Sequence, residues 1–218
     1  MEIYNQITQY TSANNVTLVA VSKTKPIDVL KKMYDQGQRI FGENKVQEME
    51  EKYQALPKDI QWHLIGHLQK NKVKYMAPFV SMIHSVDSIE LLQVINKEAA
   101  KHDRVISVLL QFFIAKEDTK FGLSENEAIL MLDGLKINPL HNIKICGVMG
   151  MASFSDDQNL VRSEFQSLKK IFTLLKNKYF ADSVAFKEIS MGMSGDYEMA
   201  IDEGSTMVRI GSALFGSR

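Results

Sequence analysis

Eight short apolar runs alternate along the chain with longer stretches in which apolar residues recur at helical spacing. The runs are, in order, "TLVAVS", "RIFGEN", "IQWHLIG", "VSMIHSVD", "VISVLLQFF", "IKICGVMG", "FKEISMG" and "TMVRIGS". Their β-branched and aromatic content favours strands, and their nearly continuous apolar character is typical of parallel strands covered on both faces. Strands that alternate with helices indicate βαβ units, and eight such units predict an α/β fold of the closed TIM-type (β/α)8 barrel class.

The stretches between the runs predict amphipathic helices. One of them carries Ile27, Leu30 and Tyr34 at intervals of three and four, which places them on one core-facing side, and Gly37 supplies a helix stop. The clearest helix is predicted over residues 160–175. Its apolar side consists of Leu160, Phe165, Leu168, Ile171, Phe172 and Leu175, and its solvent side of Lys169, Lys170 and Lys176. We expect a long surface helix there.

Both ends of the chain bear on how the barrel closes. The sequence stops at Arg218, soon after the eighth run, which leaves almost no room for an eighth helix. Residues 1–9, with Ile3 and Ile7 four positions apart, predict a helix that closes the ring from the other terminus.

The sequence has four prolines, no long Gly/Ser linker, no block of charge and no repeat. Because nothing marks a boundary, we expect one domain over residues 1–218.

The charge balance argues against several classes of partner. Lys and Arg total 26 and Asp and Glu total 26, which gives a net charge of 0 and no broad footprint for nucleic acid or an anionic membrane. Every apolar run is shorter than the roughly 18 residues of a membrane span, and residues 1–15 lack the features of a signal peptide. We therefore expect a cytoplasmic protein that binds neither nucleic acid nor membrane.

The single cysteine agrees with that compartment. Cys146 has no second cysteine with which to form an internal disulfide, as is usual in a reducing environment. It lies within the apolar segment "IKICGVM". We therefore expect a buried, inert thiol rather than a nucleophile.

Polar side chains collect where the predicted strands end. In a barrel of this type the C-terminal ends of the strands form the functional face. The residues at these ends are Lys23, Glu43, Asn44, His63, Gly66, Ser85, Asp87 and Arg209, and the seventh strand runs into "SMGMSGD", residues 190–196. We expect these residues to converge at one mouth of the barrel.

Two glycine-bearing loops near the end of the chain have the composition of anion cradles. The first is "SMGMSGD", and the second is "RIGS", which places Gly211 and Ser212 directly after the eighth strand. Glycine lets backbone N–H groups approach an anion, and barrels commonly bind phosphate with the loops after strands seven and eight. Either loop alone is compatible with an ordinary βα turn, but together at these two strands they favour a phosphate site.

Lys23 changes the chemistry that such a phosphate site supports. A lysine at a strand end, partly desolvated and near cations such as Lys25 or Arg209, is a better amine nucleophile than a solvated one. The other interpretation is a surface lysine with its head in water. An amine, a phosphate cradle and no metal motif together predict pyridoxal 5'-phosphate on Lys23. Arg209 would then face the pyridine nitrogen and make the ring a weaker electron sink than an acidic partner would.

Seven segments carry a resemblance to a known family. They are "VAVSKTKP", "FGENKVQE", "WHLIGHLQKNK", "IHSVDS", "TKFGL", "SMGMSGDYEMAI" and "GSTMVRIGSALFG", in this order between residues 19 and 216. With them the chain closely resembles the pyridoxal phosphate homeostasis proteins over nearly its whole length, residues 1–15 excepted. The resemblance implies a single barrel similar to the N-terminal domain of alanine racemases. It also implies a protein that binds, buffers or delivers pyridoxal phosphate without robust catalysis.

The resemblance also implies roles for individual residues. These are an aldimine on Lys23, Asn44 beside the cofactor ring, and Arg209 as the partner of the pyridine nitrogen. The remaining cofactor-binding residues are Ser190, Met193, Ser194, Gly211 and Ser212, of which the last three form the phosphate cradle, and Lys120 of "TKFG", which matches a family lysine near the site. We expect apo forms of pyridoxal phosphate enzymes as partners, and a monomer. The sequence departs from the commonest family pattern at "GVMGMAS", residues 147–153, which affects the loop after strand six.

The main alternative function is that of a low-activity amino-acid racemase that uses pyridoxal phosphate. Racemases of this barrel type resemble the chain but use two bases, the cofactor lysine and a tyrosine brought by a separate domain. Racemisation needs proton removal on one face of the substrate and delivery on the other. The sequence shows no second domain, so we expect no robust racemase activity.

Other motifs suggest further sites, and each has a plainer interpretation. His63 and His67 are four apart in "WHLIGH", but a glycine lies between them and no HExxH glutamate is present, so we expect no metal site. His84 and Asp87 form either an orienting pair or, with Ser88, part of a helix cap. The glycines of "SMGMSG" do not have the GxGxxG spacing of a dinucleotide-binding fold.

Overall fold

A computed structural model describes residues 2–115 and 122–216 of the 218-residue chain. Its strands are β1 (Thr17–Val21), β2 (Ile40–Glu43), β3 (Gln61–Leu64), β4 (Met82–Val86), β5 (Ile106–Phe113), β6 (Ile143–Met151), β7 (Glu188–Ser190) and β8 (Met207–Ile210). The strands are parallel and close a barrel in sequence order, with Ala20 of β1 opposite Ile210 of β8. Each predicted apolar run coincides with one of these strands, β6 extending one residue beyond its run, and the predicted barrel is confirmed.

One helix precedes the first strand, and the others follow the strands along the chain. They are α1 (Glu2–Ala13), α2 (Ile27–Asp35), α3 (Val46–Ala55), α4 (Val73–Met76), α5 (Ile89–Ala100), α6 (Glu125–Ile137), α7 (Gln158–Tyr179), α8 (Tyr197–Asp202) and α9 (Ser212–Phe215). Parallel strands require such crossovers, and the helices cover the outer face of the sheet. In the part of the chain that the structure describes, no helix is long and apolar enough to cross a membrane.

Helix α1 takes the place left by the short helix α9. It packs against β1 and α9, and Tyr10 lies edge-on to Tyr197 of α8 with the ring centroids 5.9 Å apart. The helix predicted at the N-terminus is therefore confirmed, and it continues to Ala13. The prediction that Ile3 lies on the buried side of this helix was wrong, because Ile3 is 54% exposed. Tyr4 is buried instead, and its hydroxyl donates to the Gln38 side chain at 3.4 Å.

The two helices predicted from apolar spacing are confirmed, but their buried residues differ in part from the predicted ones. In α2 the buried residues are Leu30 and Met33, whereas Ile27 is the first helical residue and is 40% exposed at the end of the helix. Gly37 ends this helix with a φ of +102°, a conformation that glycine adopts easily. The buried residues of α7 include Phe165, Leu168, Ile171 and Leu175 as predicted, together with Val161 in place of Leu160.

The inside of the barrel has an apolar floor and a more polar layer nearer the mouth. A small buried cluster apart from the main core consists of Leu109, Cys146 and Met149, with Met82 packed against it. Side chains alternate along a strand, so His84 and Gln111, two positions beyond Met82 and Leu109, face the same interior. The prediction of a buried Cys146 is confirmed, and burial raises the pKa of its thiol, which disfavours the reactive thiolate.

The loop after β6, where the sequence departs from the family pattern, is tied to α7. Ser153 donates through its backbone N–H and its hydroxyl to the two carboxylate oxygens of Glu164, at 2.7 and 2.8 Å. Gly147 within β6 has a φ of +155°, and a Cβ there would lie 1.8 Å from the carbonyl oxygen of Glu188. The strand therefore requires glycine at this position, and the loop has an anchor of its own.

Candidate functional site

The candidate site begins where β1 ends at the barrel mouth. Ser22 and Lys23 follow the last residue of the strand, and Pro26 directly precedes α2. The Lys23 side chain is half-buried. Among the described residues its ammonium has no hydrogen-bond or ion-pair partner. This amine is therefore available to a ligand at the mouth.

The ends of the next three strands are packed closely against one another. A Cβ on Gly66, after β3, would lie 2.4 Å from the backbone carbonyl oxygen of Asn44, after β2. The hydroxyl of Ser85 on β4 donates to the carbonyl oxygen of Gly66 at 2.6 Å. The position of the half-buried Asn44 is thus fixed by backbone packing, which any side chain at residue 66 would disturb.

The two glycine-bearing loops after β7 and β8 meet at one point. The Ser194 hydroxyl oxygen accepts hydrogen bonds from the backbone N–H groups of Gly211 at 3.2 Å and Ala213 at 3.3 Å. Gly211 also lies against the end of β1, since a Cβ on it would be 3.2 Å from the Val21 carbonyl oxygen. The convergent donors therefore lie beside the strand that carries Lys23.

A chain of buried hydrogen bonds crosses the barrel below the mouth. Arg209 donates from Nη1 to the Ser190 hydroxyl oxygen at 2.7 Å and from Nη2 to the Gly150 carbonyl oxygen at 3.1 Å. A guanidinium only donates, so Ser190 accepts from it and gives its own hydrogen to Nδ1 of His84, 3.1 Å away. His84 then carries its proton on Nε2 and donates to Nδ1 of His63 at 3.0 Å.

Burial sets the charge of each member of this chain. It lowers the pKa of His63 to about 3, and it lowers the pKa of His84 well below its ordinary value, with further lowering from His63 and Arg209. Burial also lowers the pKa of Arg209 to about 10, although the charge of Asp196 opposes this, so the guanidinium stays charged at neutral pH. The interior of the barrel thus holds a buried cation next to two neutral histidines.

Comparison with known proteins identifies the family. The family described as alanine racemase, N-terminal domain, matches residues 3–218. The pyridoxal phosphate homeostasis protein of Aquifex aeolicus is 41% identical over 206 residues, which cover 94% of this chain and 88% of that protein. The chain belongs to the pyridoxal phosphate homeostasis protein family. The resemblance found in the sequence motifs is thereby confirmed.

Solved structures match this family member over almost its whole length. The structure of PipY from Synechococcus elongatus with pyridoxal phosphate bound has a TM-score of 0.86 and 32% identity, and covers 98% of this chain and 100% of that one. An alanine racemase of Clostridium difficile 630 has a TM-score of 0.72 at 17% identity, and covers 96% of this chain but 59% of that one. The second likeness shows the barrel fold alone.

The sequence-predicted site residues fall at different depths. The ones at the mouth are Lys23, Asn44, Met193, Ser194 and Gly211, on the loops after β1, β2, β7 and β8, and Ser212, the first residue of α9. Met193 is 38% exposed and Ser212 is exposed, so both belong to the rim. Ser190 and Arg209 lie deeper, inside the barrel, and bond to each other. Lys120 lies outside the described residues.

The histidines of this family member have partners that their sequence spacing did not indicate. Of the two interpretations of His84 and Asp87, the cap holds, because the Ser88 hydroxyl accepts from the Leu91 N–H at 3.4 Å at the start of α5. His84 bonds within the interior chain instead, and the Asp87 carboxylate lies 3.8 Å from Nδ1 of His67. Within residues 2–115 and 122–216, no group of three or more His, Cys, Asp or Glu side chains is placed to hold a metal ion.

Sequence reasoning missed two groups of polar residues that lie next to the site. One is the pairing of the buried His63 and His84, each of which was considered singly; its signal is a histidine inside each of two apolar strands, "QWHL" and "MIHSV". The other is Lys52 of α3, which is 4% exposed. Its signal is its position three residues after the buried Met49, on the side of the helix that faces the core.

Proposed function

We propose that the chain holds pyridoxal 5'-phosphate at the barrel mouth through a Schiff base with Lys23 and supplies this cofactor in vitamin B6 homeostasis, without robust catalysis of its own. The observation that carries the proposal is the Lys23 amine, which has no partner among the described residues and lies on the same rim as the donors that converge at Ser194. The Lys23 nitrogen would form a C=N bond to the aldehyde carbon of the cofactor, and the aldehyde oxygen would leave as water. No group is oxidised or reduced. When bound, the cofactor supplies an electron-accepting ring.

The phosphate group is held by the loops after β7 and β8. The Ser194 hydroxyl and the backbone N–H groups of Gly211 and Ala213 already point toward one another, and Ser212 lies directly beside them. The Ser194 hydroxyl oxygen accepts from both N–H groups. A phosphate oxygen is a better acceptor than a hydroxyl because it carries charge, so the two N–H groups turn to it and the serine hydroxyl donates as well.

The residues that would hold the cofactor ring come from the end of β2, the barrel interior and the rim. Arg209 would donate to the pyridine nitrogen, and Ser190 accepts another N–H of the same guanidinium. Asn44 lies beside the ring, and Met193 covers it from the rim. Lys120 contributes from outside the described residues.

The residues around this site favour holding the cofactor over turning over an amino acid. Racemisation requires a base on each face of the substrate carbon. In the described part of the barrel interior His63 and His84 are neutral and bonded to one another, and Arg209 stays protonated. A low-activity racemase that uses the Lys23 amine as its one base is the alternative.

The wider biological role follows from the same site. The chain acts as a monomeric single domain over residues 1–218 in the cytoplasm and passes the cofactor to apo forms of pyridoxal phosphate enzymes. The family membership supports the role in homeostasis. The balance of 26 basic and 26 acidic residues is consistent with a protein that does not bind nucleic acid.

Spectroscopy and chemical trapping test this proposal directly. The purified protein is loaded with pyridoxal 5'-phosphate, its visible absorption is recorded, and it is then reduced with borohydride and digested for peptide mass spectrometry. We expect a visible band that borohydride removes and a pyridoxyl group on the peptide that contains Lys23. A band without an adduct at Lys23, or no band at all, would reject the proposal.

The alternative function is tested by the fate of the substrate α-proton. The loaded protein is incubated with amino acids in heavy water, and deuterium incorporation is followed by mass spectrometry. We expect no incorporation above that of free pyridoxal phosphate at the same concentration. Steady incorporation that requires Lys23 would establish the racemase alternative.

Replacing Ser194 with alanine is expected to weaken binding at the phosphate end alone. The loss of one charge-assisted hydrogen bond costs about 1.5–3 kcal/mol of binding free energy, or about ten- to a hundredfold in Kd. Ser167→Ala on the solvent side of α7 serves as the control and should bind as the wild type does. Titration with pyridoxal, which lacks the phosphate, should give the same Kd for Ser194→Ala and wild type. An equal loss for both ligands would place Ser194 outside the phosphate cradle.

A further inference from the structure

The two chain neighbours of Lys23 are both held by residues of α3. The Ser22 carbonyl oxygen accepts from the Lys52 ammonium at 2.8 Å, and the Thr24 backbone N–H donates to the Glu48 carboxylate at 2.5 Å. Lys52 and Glu48 are themselves paired at 2.7 Å, one helical turn apart. The segment that carries the reactive amine is thus clamped on both sides from one helix.

All three N–H groups of the Lys52 ammonium are used in hydrogen bonds. Its side chain is 5% exposed, and its three N–H groups reach three acceptors: the Ser22 carbonyl oxygen and one carboxylate oxygen each of Glu43 and Glu48, the latter two at 2.7 Å. An ammonium has three donors. Lys52 is therefore a fully bonded connector between the β1 end, the β2 end and α3.

Glu43 completes the cluster from the end of β2. Its side chain is fully buried, and one of its oxygens accepts from both Lys52 and the Ser22 hydroxyl, the latter at 2.6 Å. Buried ion clusters add little net stability, because the cost of desolvation offsets the attraction. The cluster therefore gives the structure mainly a fixed geometry at Ser22, the residue before Lys23.

The residue after Lys23 has an unusual backbone conformation that the bond to Glu48 stabilises. Thr24 has a φ of +64°, which is a rare conformation for a β-branched residue. Its N–H bond to Glu48 holds it there. Without that bond the peptide between residues 23 and 24 is free to rotate toward an ordinary φ, and the direction of the Lys23 side chain changes with it.

We infer that Glu48 and Lys52 are positioning residues that aim the Lys23 amine at the cofactor aldehyde, an inference that rests on the proposed function of Lys23. Neither touches the cofactor. Their effect falls on formation of the covalent bond, which needs the amine in one direction, and leaves binding of the phosphate and ring unchanged.

Two ligands separate these effects. Pyridoxal 5'-phosphate binds with the covalent bond, whereas pyridoxine 5'-phosphate has the same ring and phosphate but an alcohol in place of the aldehyde. We choose Glu48 for substitution because its side chain is 22% exposed, whereas removal of Lys52 would leave Glu43 buried without its cation. The variants are Glu48→Ala, Glu48→Gln and, as a control on the exposed side of the same helix, Glu51→Gln.

We expect Glu48→Ala to bind pyridoxal phosphate roughly tenfold or more weakly, with less pyridoxyl adduct on Lys23 after borohydride, and to bind pyridoxine phosphate within about twofold of wild type. Glu48→Gln should recover most of the loss, because its amide oxygen still accepts from the Thr24 N–H. Glu51→Gln should match wild type for both ligands. The thermal midpoints of all variants establish that they are folded.

Three results would overturn the inference. One is unchanged affinity of Glu48→Ala for pyridoxal phosphate, and another is an equal loss for both ligands. The third is that Glu48→Gln binds pyridoxal phosphate as weakly as Glu48→Ala does. The loss would then come from the charge of Glu48 and not from its bond to the Thr24 N–H. Failure of the proposed function itself is distinguishable, since the wild-type protein would then give no adduct at Lys23.

Discussion

Replacing Lys23 with alanine is expected to abolish the visible absorption of the loaded protein and every pyridoxyl adduct that borohydride traps on the chain. The amine of Lys23 is the group proposed to form the C=N bond, and it is half-buried at the mouth without a partner among the described residues. A Schiff base needs an amine within bonding distance of the aldehyde, and alanine has none. The measurement is absorption before and after borohydride, followed by peptide mass spectrometry.

Two lysine variants make this prediction specific. Lys23→Arg keeps the positive charge but has no amine that forms a Schiff base, so it should lose the band as Lys23→Ala does. Lys25→Ala serves as the neighbouring control, because the Lys25 ammonium donates to the carbonyl oxygens of Phe215 and Gly216 and should keep the band when removed. Both Lys23 variants should still bind pyridoxine phosphate. An adduct on another lysine in Lys23→Ala would move the site to that residue.

The chemistry of the site residues explains why the chain is suited to holding a cofactor. Arg209 is a donor that stays charged, so at the proposed site it would bond to the pyridine nitrogen without protonating it, and the ring would be a weak electron sink. The two buried histidines are neutral. His84 accepts from the Ser190 hydroxyl at Nδ1 and donates from Nε2 to His63. The interior chain therefore consists of a fixed cation and two histidines whose lowered pKa values make them weak bases, which favours retention over removal of an α-proton.

The fold was predictable from sequence because each strand is a nearly unbroken apolar run. A parallel strand covered on both faces has no polar face, so the runs at β1 and β5 stand out without any alignment. The helix faces were less predictable, since spacing alone allowed Ile3 and Ile27 to be buried. In α1 the buried residues are Tyr4, Ile7 and Thr11, and the Tyr4 hydroxyl reaches Gln38, a tertiary contact that spacing does not contain.

The mouth of the site was partly predictable for a different reason. Lys23, Ser194 and Gly211 stand at strand ends or in glycine loops, where a polar residue is conspicuous. The interior chain was not predictable, because His63, His84 and Ser190 come from three strands and their pairing depends on which side chains point inward at the same height. The same limit applied to Lys52, which sequence spacing places on the core side of α3 without showing its three acceptors.

Acid is expected to destabilise the protein through the buried histidine pair. The pKa of His63 falls from 6.5 in the unfolded chain to about 3 in the folded barrel, because burial disfavours its charged form. The unfolded chain therefore binds more protons below pH 6.5, and the stability that is complete above that pH is lost as the pH falls toward 3. At 1.36 kcal/mol per pH unit, His63 alone lowers the free energy of unfolding by about 3 kcal/mol between pH 7 and pH 4. His84 adds to the loss in the same direction.

Urea unfolding at a series of pH values measures this effect, and two variants isolate it. In His63→Asn the amide oxygen accepts from the Nε2–H of His84, so the interior chain persists while one titrating group is removed. We expect a shallower loss of stability with acid in this variant. His102→Asn, at an exposed position, should keep the wild-type slope. Equal slopes in all three proteins would show that His63 titrates normally in the folded state, and the tautomers assigned along the interior chain would then have to be revised.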